Sequence, residues 1–115
     1  MSCLFCRIIQ GEMKVPFVWE DDEFVAFRDI APTAPVHVLV VPRRHFESIA
    51  DLAEADAAYA GRFIQAIASV ARAEGLVDPA KGFRLVANTG PEGGQSVPHL
   101  HGHVLGGRTL AWPPG

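Results

Sequence analysis

The 115 residues suffice for one compact domain with its own core, and a content of 49% hydrophobic and 20% charged residues is typical of a globular protein. A formal net charge of −3, with Lys and Arg scattered along the chain, argues against binding polymeric nucleic acid, which needs a basic face. No apolar run approaches the ~18 residues of a membrane span, and the first residues lack a signal-peptide pattern. We therefore expect a single cytoplasmic domain, residues 1–115, without a membrane partner.

The first half of the chain predicts one short helix and three strands. Residues 3–9 (CLFCRII) cluster their apolar side chains on one side of a helix that ends before Gly11. Two short strands, 16–22 (PFVWEDD) and 23–30 (EFVAFRDI), meet at an acidic turn. The β-branched run VHVLVVP predicts a third strand over 36–42.

The second half predicts one long helix followed by two strands. Apolar residues recur at helical spacing over about 54–74, and Gly75 is placed to end that helix. Residues 82–88 (GFRLVAN) and 99–107 (HLHGHVLGG) predict two strands, separated by the glycine-rich loop 89–98. Because a helix does not separate every pair of strands, we expect an α+β domain with a mainly antiparallel five-stranded sheet and the long helix on one face.

The stretch HLHGH places three of the five histidines at alternate positions. On a strand, His99, His101 and His103 share one face, whereas Leu100 and Gly102 lie on the other. Burying three imidazoles costs ~1–3 kcal/mol for each nitrogen left without a partner, so a purely structural row is unfavourable. The spacing alone leaves two functions open: zinc ligation, or a nucleophile with acid/base partners.

The residues immediately before this histidine row favour phosphoryl chemistry. GGQS, residues 93–96, offers backbone N–H groups and a hydroxyl that together form an anion-binding nest. Alone, such a stretch is an ordinary hairpin turn. Combined with the row, it indicates a loop that holds phosphate oxygens while a histidine attacks phosphorus.

Cys3 and Cys6 form a C-x-x-C pair, and no other cysteine is present. A disulfide framework is therefore excluded. A redox pair, half of a zinc site, or two reduced thiols are the interpretations that the spacing leaves open.

The sequence GGQSVPHLHGHVLGGR, with Asn88 upstream, resembles the histidine triad (HIT) superfamily, whose motif alternates histidines with apolar residues. CRIIQGE, FRDIAPTAPVHVLVVPRRH and the terminal WPPG resemble its nucleotide-binding Hint branch, so the resemblance covers nearly the whole chain. It implies a HIT fold whose sheet continues across a homodimer, with Trp112 reaching the partner's active site. Gly102 departs from the pattern, which has a bulky apolar residue there, and we expect altered packing rather than lost activity.

The resemblance also implies a purine nucleoside phosphoramidase that requires no cofactor for catalysis. His101 attacks the α-phosphorus of a nucleoside 5′-phosphoramidate or acyl-adenylate, and water releases the nucleoside monophosphate from the nucleotidyl-histidine. His103 contacts the phosphate and assists leaving-group protonation, while His37 and His99 orient the row. The alternatives are a nucleotide-binding regulatory module with slow incidental hydrolysis, a dinucleoside polyphosphate hydrolase, and a metal-dependent hydrolase.

Three sets of contacts to a purine nucleotide follow from the same resemblance. Asp29 accepts hydrogen bonds from the ribose hydroxyls. The apolar nucleobase slot comprises Leu4, Phe5, Ile8, Phe27, Ile30 and Leu39. The phosphate and leaving group contact Asn88, Gly94, Gln95, Ser96 and Val97.

The last implication is a structural zinc ion. Its ligands in the resembling bacterial proteins correspond to Cys3, Cys6, His45 and His99. A closed Cys₂His₂ site is structural rather than catalytic. The nucleophile therefore remains His101 whether or not His99 holds a metal.

Overall fold

A computed structural model describes residues 3–115, and its strands form one antiparallel sheet. The elements in chain order are α1 (Leu4–Ile9), β1 (Trp19–Glu20), β2 (Phe24–Arg28), β3 (Val36–Pro42), α2 (Ile49–Ala55), α3 (Ala57–Ala73), β4 (Phe83–Val86) and β5 (Gly102–Gly106). The strand order is β1-β2-β3-β5-β4, and every neighbouring pair is antiparallel. The predicted α+β architecture is confirmed.

The two faces of the sheet bury separate groups of apolar side chains, and β3 separates them. On one face, Phe63 and Val70 of α3 pack with Val38 of β3. On the other face, Phe5 of α1 packs with Leu39. Because both faces of β3 are covered, the strand is apolar along nearly its whole length, as its β-branched sequence requires.

The predicted helix over 54–74 corresponds to α3, whereas the shorter α2 before it was not predicted. Asp56 has an extended backbone (φ −160°, ψ 95°), and its carboxylate accepts a 3.0 Å hydrogen bond from the Tyr59 N–H. An aspartate in this conformation caps a new helix, so α3 begins at Ala57 and α2 ends at Ala55. Gly75, with φ +76°, follows the end of α3 as predicted. None of the helices in residues 3–115 is long and apolar enough to cross a membrane.

The first and last strands of the chain are shorter than predicted. β1 covers only Trp19–Glu20, and β5 begins at Gly102 rather than His99. The His99 N–H donates to the Val97 carbonyl at 2.8 Å and the Leu100 N–H donates to the Phe46 carbonyl at 2.7 Å, so neither takes part in the pairing with β3. The first two histidines of the row therefore precede the strand, on irregular backbone.

Candidate active site

The histidine row lies on the sheet face opposite α3, although only His103 belongs to a strand. Leu100 and Val104 are buried in the core beneath α3. His101 and His103 lie on the other side, with ring centroids 5.0 Å apart. The alternation predicted for the row is therefore correct even where regular pairing ends.

His101 is held so that one ring nitrogen is free. Its side chain is buried, and Nδ1 lies 2.8 Å from the backbone oxygen of His99. Because a carbonyl oxygen only accepts hydrogen bonds, this contact assigns the proton to Nδ1. Phe5 packs edge-on to the ring with centroids 5.0 Å apart. In the neutral ring, Nε2 then carries the lone pair that a nucleophile needs.

His37 and His103 form a second arrangement, which we call the histidine pair. The Thr33 N–H donates to His37 Nδ1 at 3.1 Å, which places the proton of the neutral His37 ring on Nε2. That atom lies 2.9 Å from His103 Nδ1, which therefore accepts. The proton of His103 is consequently on Nε2, and His103 is a hydrogen-bond donor at its free nitrogen. Asp29 Oδ2 lies 3.5 Å from His37 Nε2.

The environment of His103 keeps its ring neutral. Burial is the main cause, and the neighbouring His101 and His37 add to it, so that the pKa falls from its usual 6.5 to about 4. Asp29 opposes the shift only weakly. His103 therefore offers a neutral N–H near pH ~7 rather than an imidazolium.

Four side chains converge at the other end of the row, and we call them the thiol–imidazole cluster. They are Cys3, Cys6, His45 and His99. His99 Nδ1 lies 3.3 Å from Cys3 Sγ and 3.5 Å from Cys6 Sγ. His45 Nδ1 lies 3.3 Å from Cys6 Sγ and 3.1 Å from His99 Nδ1. Zn–N bonds of ~2.0–2.1 Å and Zn–S bonds of ~2.3 Å give tetrahedral edges of roughly 3.3–3.8 Å. The sulfur–nitrogen distances lie within that range and the nitrogen–nitrogen distance is slightly shorter, so the cluster has about the size that such an ion requires.

The outward hydrogen bonds of the cluster also suit metal ligation. His99 Nε2 donates to the Pro42 carbonyl at 2.8 Å, which leaves the Nδ1 lone pair directed at the thiols. Burial lowers the pKa of His99, which favours the neutral ring that a metal requires. Burial and the adjacent Cys3 raise the pKa of the Cys6 thiol to about 11, so an incoming metal ion has to displace that proton.

The predicted nucleobase slot divides into buried and exposed members. Four of its six residues form part of one core cluster on the face that carries the row: Phe5, Ile8, Phe27 and Leu39. Leu4 is 41% exposed and Ile30 is 99% exposed. Ile30 therefore lies outside the core, in an irregular segment after β2. Asp29 precedes it and accepts a 2.8 Å hydrogen bond from the Ala31 N–H.

The glycine-rich loop corrects one detail of the predicted phosphate site. The backbone N–H groups of Gly94 and Gln95 donate to the carbonyls of Pro91 and Gly90, at 3.1 and 3.0 Å. They are therefore engaged within the loop. Within residues 3–115, the Ser96 N–H and hydroxyl and the Val97 N–H make no such bond, and they remain the available donors at this end.

Side chains fix the loop on both sides. The Gln95 side chain accepts from the Gly90 N–H at 3.0 Å and donates to the Glu47 carbonyl at 2.6 Å. Asn88 donates to the carbonyl of Gly93. Asn88 follows β4 by two residues, level with His101 if the pairing of Val86 with His103 is extended. Asn88 and Gln95 therefore hold the loop beside His101.

The C-terminal tail crosses β4 and leaves Trp112 free. Arg84 donates to the carbonyls of Leu110 and Ala111, at 3.3 and 2.9 Å. Trp112 is 80% exposed. A cleft of about 520 Å³ lies beneath this segment and includes Arg84 and Leu105 in its lining. Because Leu105 pairs with His37, the cleft adjoins the histidine pair on the same face.

Sequence reasoning missed the backbone groups that set the histidine tautomers. These are the Thr33 N–H and the carbonyls of Pro42 and His99. No residue-type signal identifies them, since every residue supplies such groups and only the fold brings them to a ring nitrogen. Pro42 is the partial exception, because it ends a recognisable strand.

The sequence matches the HIT domain family over residues 10–110. It is 50% identical to an uncharacterised HIT-like protein of Synechococcus elongatus, with 97% of this chain and 96% of that protein covered. It is 44% identical to the adenylylsulfatase HINT1 of Arabidopsis thaliana, with 97% and 76% covered. The fold is similar to the crystal structure of a HIT family hydrolase from Legionella pneumophila, with a TM-score of 0.91, 45% identity, and 99% of this chain and 100% of that chain covered.

Proposed function

Because the chain belongs to the HIT domain family and is a hydrolase of that family, we propose that it is a purine nucleoside phosphoramidase of the Hint type. Its reaction cleaves the bond between the α-phosphorus and the leaving group of a nucleoside 5′-phosphoramidate or an acyl-adenylate. The product is the nucleoside monophosphate. The observation that carries the proposal is the hydrogen bond from His101 Nδ1–H to the backbone carbonyl of His99, which leaves the Nε2 lone pair available to attack.

The first step forms a covalent intermediate. The Nε2 lone pair of His101 forms a bond to phosphorus, and the P–N bond of the substrate breaks with its electron pair on the amine. The amine takes a proton from water, and the nucleotide remains on a ring that is now cationic. The Nδ1–H bond to the His99 carbonyl stabilises that charge, as hydrogen bonds to charged groups are stronger than those to neutral ones.

The second step is hydrolysis. A water oxygen forms a bond to phosphorus, the P–Nε2 bond breaks, and the water proton passes to solvent. His101 returns to its neutral, Nδ1-protonated form. Splitting one displacement into two through a covalent intermediate lowers each barrier.

We assign His103 to the phosphoryl oxygens rather than to the leaving group. Its ring is neutral, and its Nδ1 is occupied by the His37 N–H, so it has no proton to lose easily. Its Nε2–H is instead a fixed donor toward charge that develops on the phosphoryl group. His37 is a positioning residue, because its bond to Thr33 and its bond to His103 fix both rings.

The nucleotide contacts follow the same face of the sheet. Asp29 binds the ribose hydroxyls, and the buried Phe5, Phe27 and Leu39 form the wall of the base slot. Ile30 contributes an exposed apolar lid rather than a wall. Ser96 and the Val97 N–H donate to the phosphate.

A structural metal ion, zinc by its ligand set, belongs to the proposal but not to the chemistry. The thiol–imidazole cluster would hold it, and a closed Cys₂His₂ site supplies rigidity rather than a reactive position. No cofactor is assigned to the reaction itself.

A homodimer and a cytoplasmic location complete the proposal. β4 is an edge strand with 39% exposure at both Phe83 and Leu85, and Ile64 of α3 is 53% exposed. An apolar edge of this kind favours pairing with a second copy, which continues the sheet. The free thiols of Cys3 and Cys6 support a reducing compartment.

The test compares wild type with His101→Ala on an adenosine 5′-phosphoramidate. We expect turnover by wild type and an adenylylated protein that is trapped by denaturation at alkaline pH, because a P–N bond to histidine hydrolyses in acid. For the variant we expect a loss of ~10⁴-fold or more in kcat, as for other nucleophile deletions. Tight binding of the monophosphate without turnover would instead indicate a regulatory module.

The same assay resolves the leaving group. A panel containing the phosphoramidate, an acyl-adenylate, adenylyl sulfate and a diadenosine polyphosphate separates the remaining alternatives. Adenylyl sulfate is included because a relative 44% identical to this chain is an adenylylsulfatase. Preference for the polyphosphate by ~10-fold or more in kcat/KM contradicts the proposed substrate class.

A further inference from the structure

The side-chain amide of Gln95 uses its oxygen and both of its hydrogens within the protein. Its Oε1 accepts from the Gly90 N–H at 3.0 Å, and its Nε2 donates to the carbonyls of Glu47 and Val97, at 2.6 and 3.0 Å. Because an amide oxygen only accepts and an NH₂ group only donates, these three partners fix the orientation of the amide. The side chain therefore joins both ends of the glycine-rich loop to the segment between β3 and α2.

The bond to Val97 closes a ring around two peptide groups, those that carry the N–H of Ser96 and the N–H of Val97. Both ends of the ring are anchored. At one end the Gln95 backbone N–H donates to the Gly90 carbonyl at 3.0 Å, and at the other the Val97 carbonyl also accepts from the His99 N–H at 2.8 Å. The ring thus fixes two donors that take part in no hydrogen bond of their own within the part of the chain that the structure describes.

Ser96 depends on this ring more than Val97 does. Ser96 is exposed, and its backbone and hydroxyl make no hydrogen bond among the described residues. Val97 is also held by packing against the apolar cluster on the face that carries the histidine row, and Pro98 restricts its backbone to extended conformations. Loss of the Gln95 amide should therefore release Ser96 and leave Val97 largely in place.

We propose that Gln95 is a positioning residue, whose side chain holds the hydroxyl and N–H of Ser96 in the place where they meet the phosphate. The side chain does not itself donate to the phosphate, because both amide hydrogens already donate to carbonyls. This rests on the proposed phosphate contacts of Ser96 and Val97. Donors that are fixed before the ligand binds stabilise its charge without a cost for ordering them, and the ring provides that advantage.

The variant that tests this role is Gln95→Met, which keeps the length of the side chain, adds no charge and removes all three hydrogen bonds of the amide. Gln65→Met is the matched control. Gln65 is exposed on α3, which covers the sheet face opposite the histidine row, and its side chain makes no hydrogen bond among the described residues. The two variants therefore make the same chemical change, and only Gln95→Met opens the ring.

The readout is the affinity for adenosine 5′-monophosphate relative to adenosine, measured by calorimetry at one pH and ionic strength. The two ligands differ only in the phosphate, so this ratio isolates the phosphate contacts and needs no turnover. We expect the ratio to fall about 10-fold in Gln95→Met, the low end for one hydrogen bond to a charged group, with the adenosine affinity unchanged. Gln65→Met should keep the wild-type ratio. In a Ser96→Ala background, Gln95→Met should lower the ratio less than about 3-fold, because the contact that it positions is already absent.

A second measurement does not depend on whether a variant folds. ¹⁵N relaxation gives the order parameter of the Ser96 N–H in ligand-free wild type, and we expect the value of a rigid backbone, about 0.85. In Gln95→Met the same order parameter should fall below about 0.6. A Ser96 N–H that is already flexible in wild type overturns the inference.

The affinity ratios separate this inference from the function on which it rests. A ratio that Ser96→Ala lowers and Gln95→Met leaves unchanged overturns the inference and leaves the proposed function in place. An equal loss of affinity for both ligands in Gln95→Met also overturns it, because that result indicates general disruption of the site. A ratio that Ser96→Ala itself leaves unchanged contradicts the proposed phosphate contact instead.

Discussion

The two ends of the histidine row use the same ring in opposite ways. In the thiol–imidazole cluster, Nδ1 atoms of His45 and His99 lie 3.1 Å apart with no proton assigned between them, because His99 Nε2 donates to Pro42. In the histidine pair, a proton lies between the two rings, because the Thr33 N–H occupies His37 Nδ1. The partner of one ring nitrogen thus decides what the other can do.

This difference explains why only one end is suited to a metal. Asp29, His37 and His103 also lie within 4.8 Å of one another. There, however, the His37 N–H already points at His103, and an added cation would displace it. In the cluster, two imidazole lone pairs and two thiols converge on one point, and a cation that displaces the thiol protons suits this arrangement. The thiol–imidazole cluster at one end of the row is therefore suited to a metal ion, and the histidine pair at the other end is suited to donating a hydrogen bond. His101 lies between them.

Metal removal should have the largest effect on stability, and it should act only at the thiol–imidazole cluster. Zinc bound at a free concentration ~1,000 times its Kd stabilises the fold by ~4 kcal/mol, and a chelator removes that contribution. We expect a large fall in the free energy of unfolding of wild type, measured by urea denaturation with and without chelator. His45→Ala should respond little to the chelator. A wild-type protein that is equally stable with and without zinc contradicts the metal assignment.

His103→Ala should change activity at the other end of the row without changing the cluster. It removes the donor that we propose for the phosphoryl oxygen, and we expect kcat to fall by ~10²–10³-fold, as for other donors to developing charge. Zinc content should stay at the wild-type level because no ligand is touched. Steady-state kinetics and elemental analysis of the same preparation check both parts. Loss of zinc together with activity would mean that the two ends are not separate.

The pH dependence of stability should show that His103 is shielded from protonation in the folded protein. The pKa of His103 is about 4 in the folded protein and about 6.5 in an unfolded chain, so between these values the unfolded state binds more protons. Stability is therefore complete above pH ~6.5 and falls as the pH drops toward 4, by about 1 kcal/mol at pH ~5.5. His103→Gln, which does not titrate, is the reference.

Urea denaturation at several pH values supplies the measurement, as the difference between wild type and His103→Gln. Subtracting the variant removes the contribution of His99, whose pKa burial lowers in the same direction. A difference that is constant from pH ~7 to pH ~5 is the contrary result, and would mean that His103 is not shielded from protonation as its contacts indicate.

The sequence predicted every strand, α1 and α3, but neither α2 nor the ends of several elements. The apolar pattern of β3 and the alternation around His101 predict the sheet and its faces correctly, because burial on a pleated strand requires them. The start of β5 was wrong, since the bond from Leu100 to Phe46 joins residues far apart in the chain. The helix α2 was missed because Leu52 is its only buried residue, which leaves no apolar periodicity to predict it.

The candidate site shows the same limit. Spacing identifies the row, and the thiols and His45 come together as the resemblance implies. The free N–H groups expected at Gly94 and Gln95 are used inside their own loop, which only the folded turn determines. At Gly102 the sequence predicts altered packing, and only the fold shows which side chains, Leu85, Ile67 and Phe63, lie next to this position.

Gly102→Ala should have the smallest effect on stability and activity. Side chains on the α3 face of the sheet, opposite the histidine row, already fill the space next to Gly102. A Cβ added there lies 3.1 Å from Leu85 Cδ1 and 3.4 Å from Ile67 Cδ1. Leu85 is 39% exposed and can shift, so Gly102→Ala should cost less than ~1 kcal/mol, whereas Gly102→Leu should overpack the site and cost ~1–3 kcal/mol. Gly61→Ala, on α3 with open space around it, is the control and should stabilise by ~0.5–1 kcal/mol. Since the added methyl lies away from the histidines, kcat and zinc content should be unchanged. A Gly102→Ala protein that keeps wild-type stability but loses either property would mean that the two faces of β5 are coupled, and the separation of core from site would not hold.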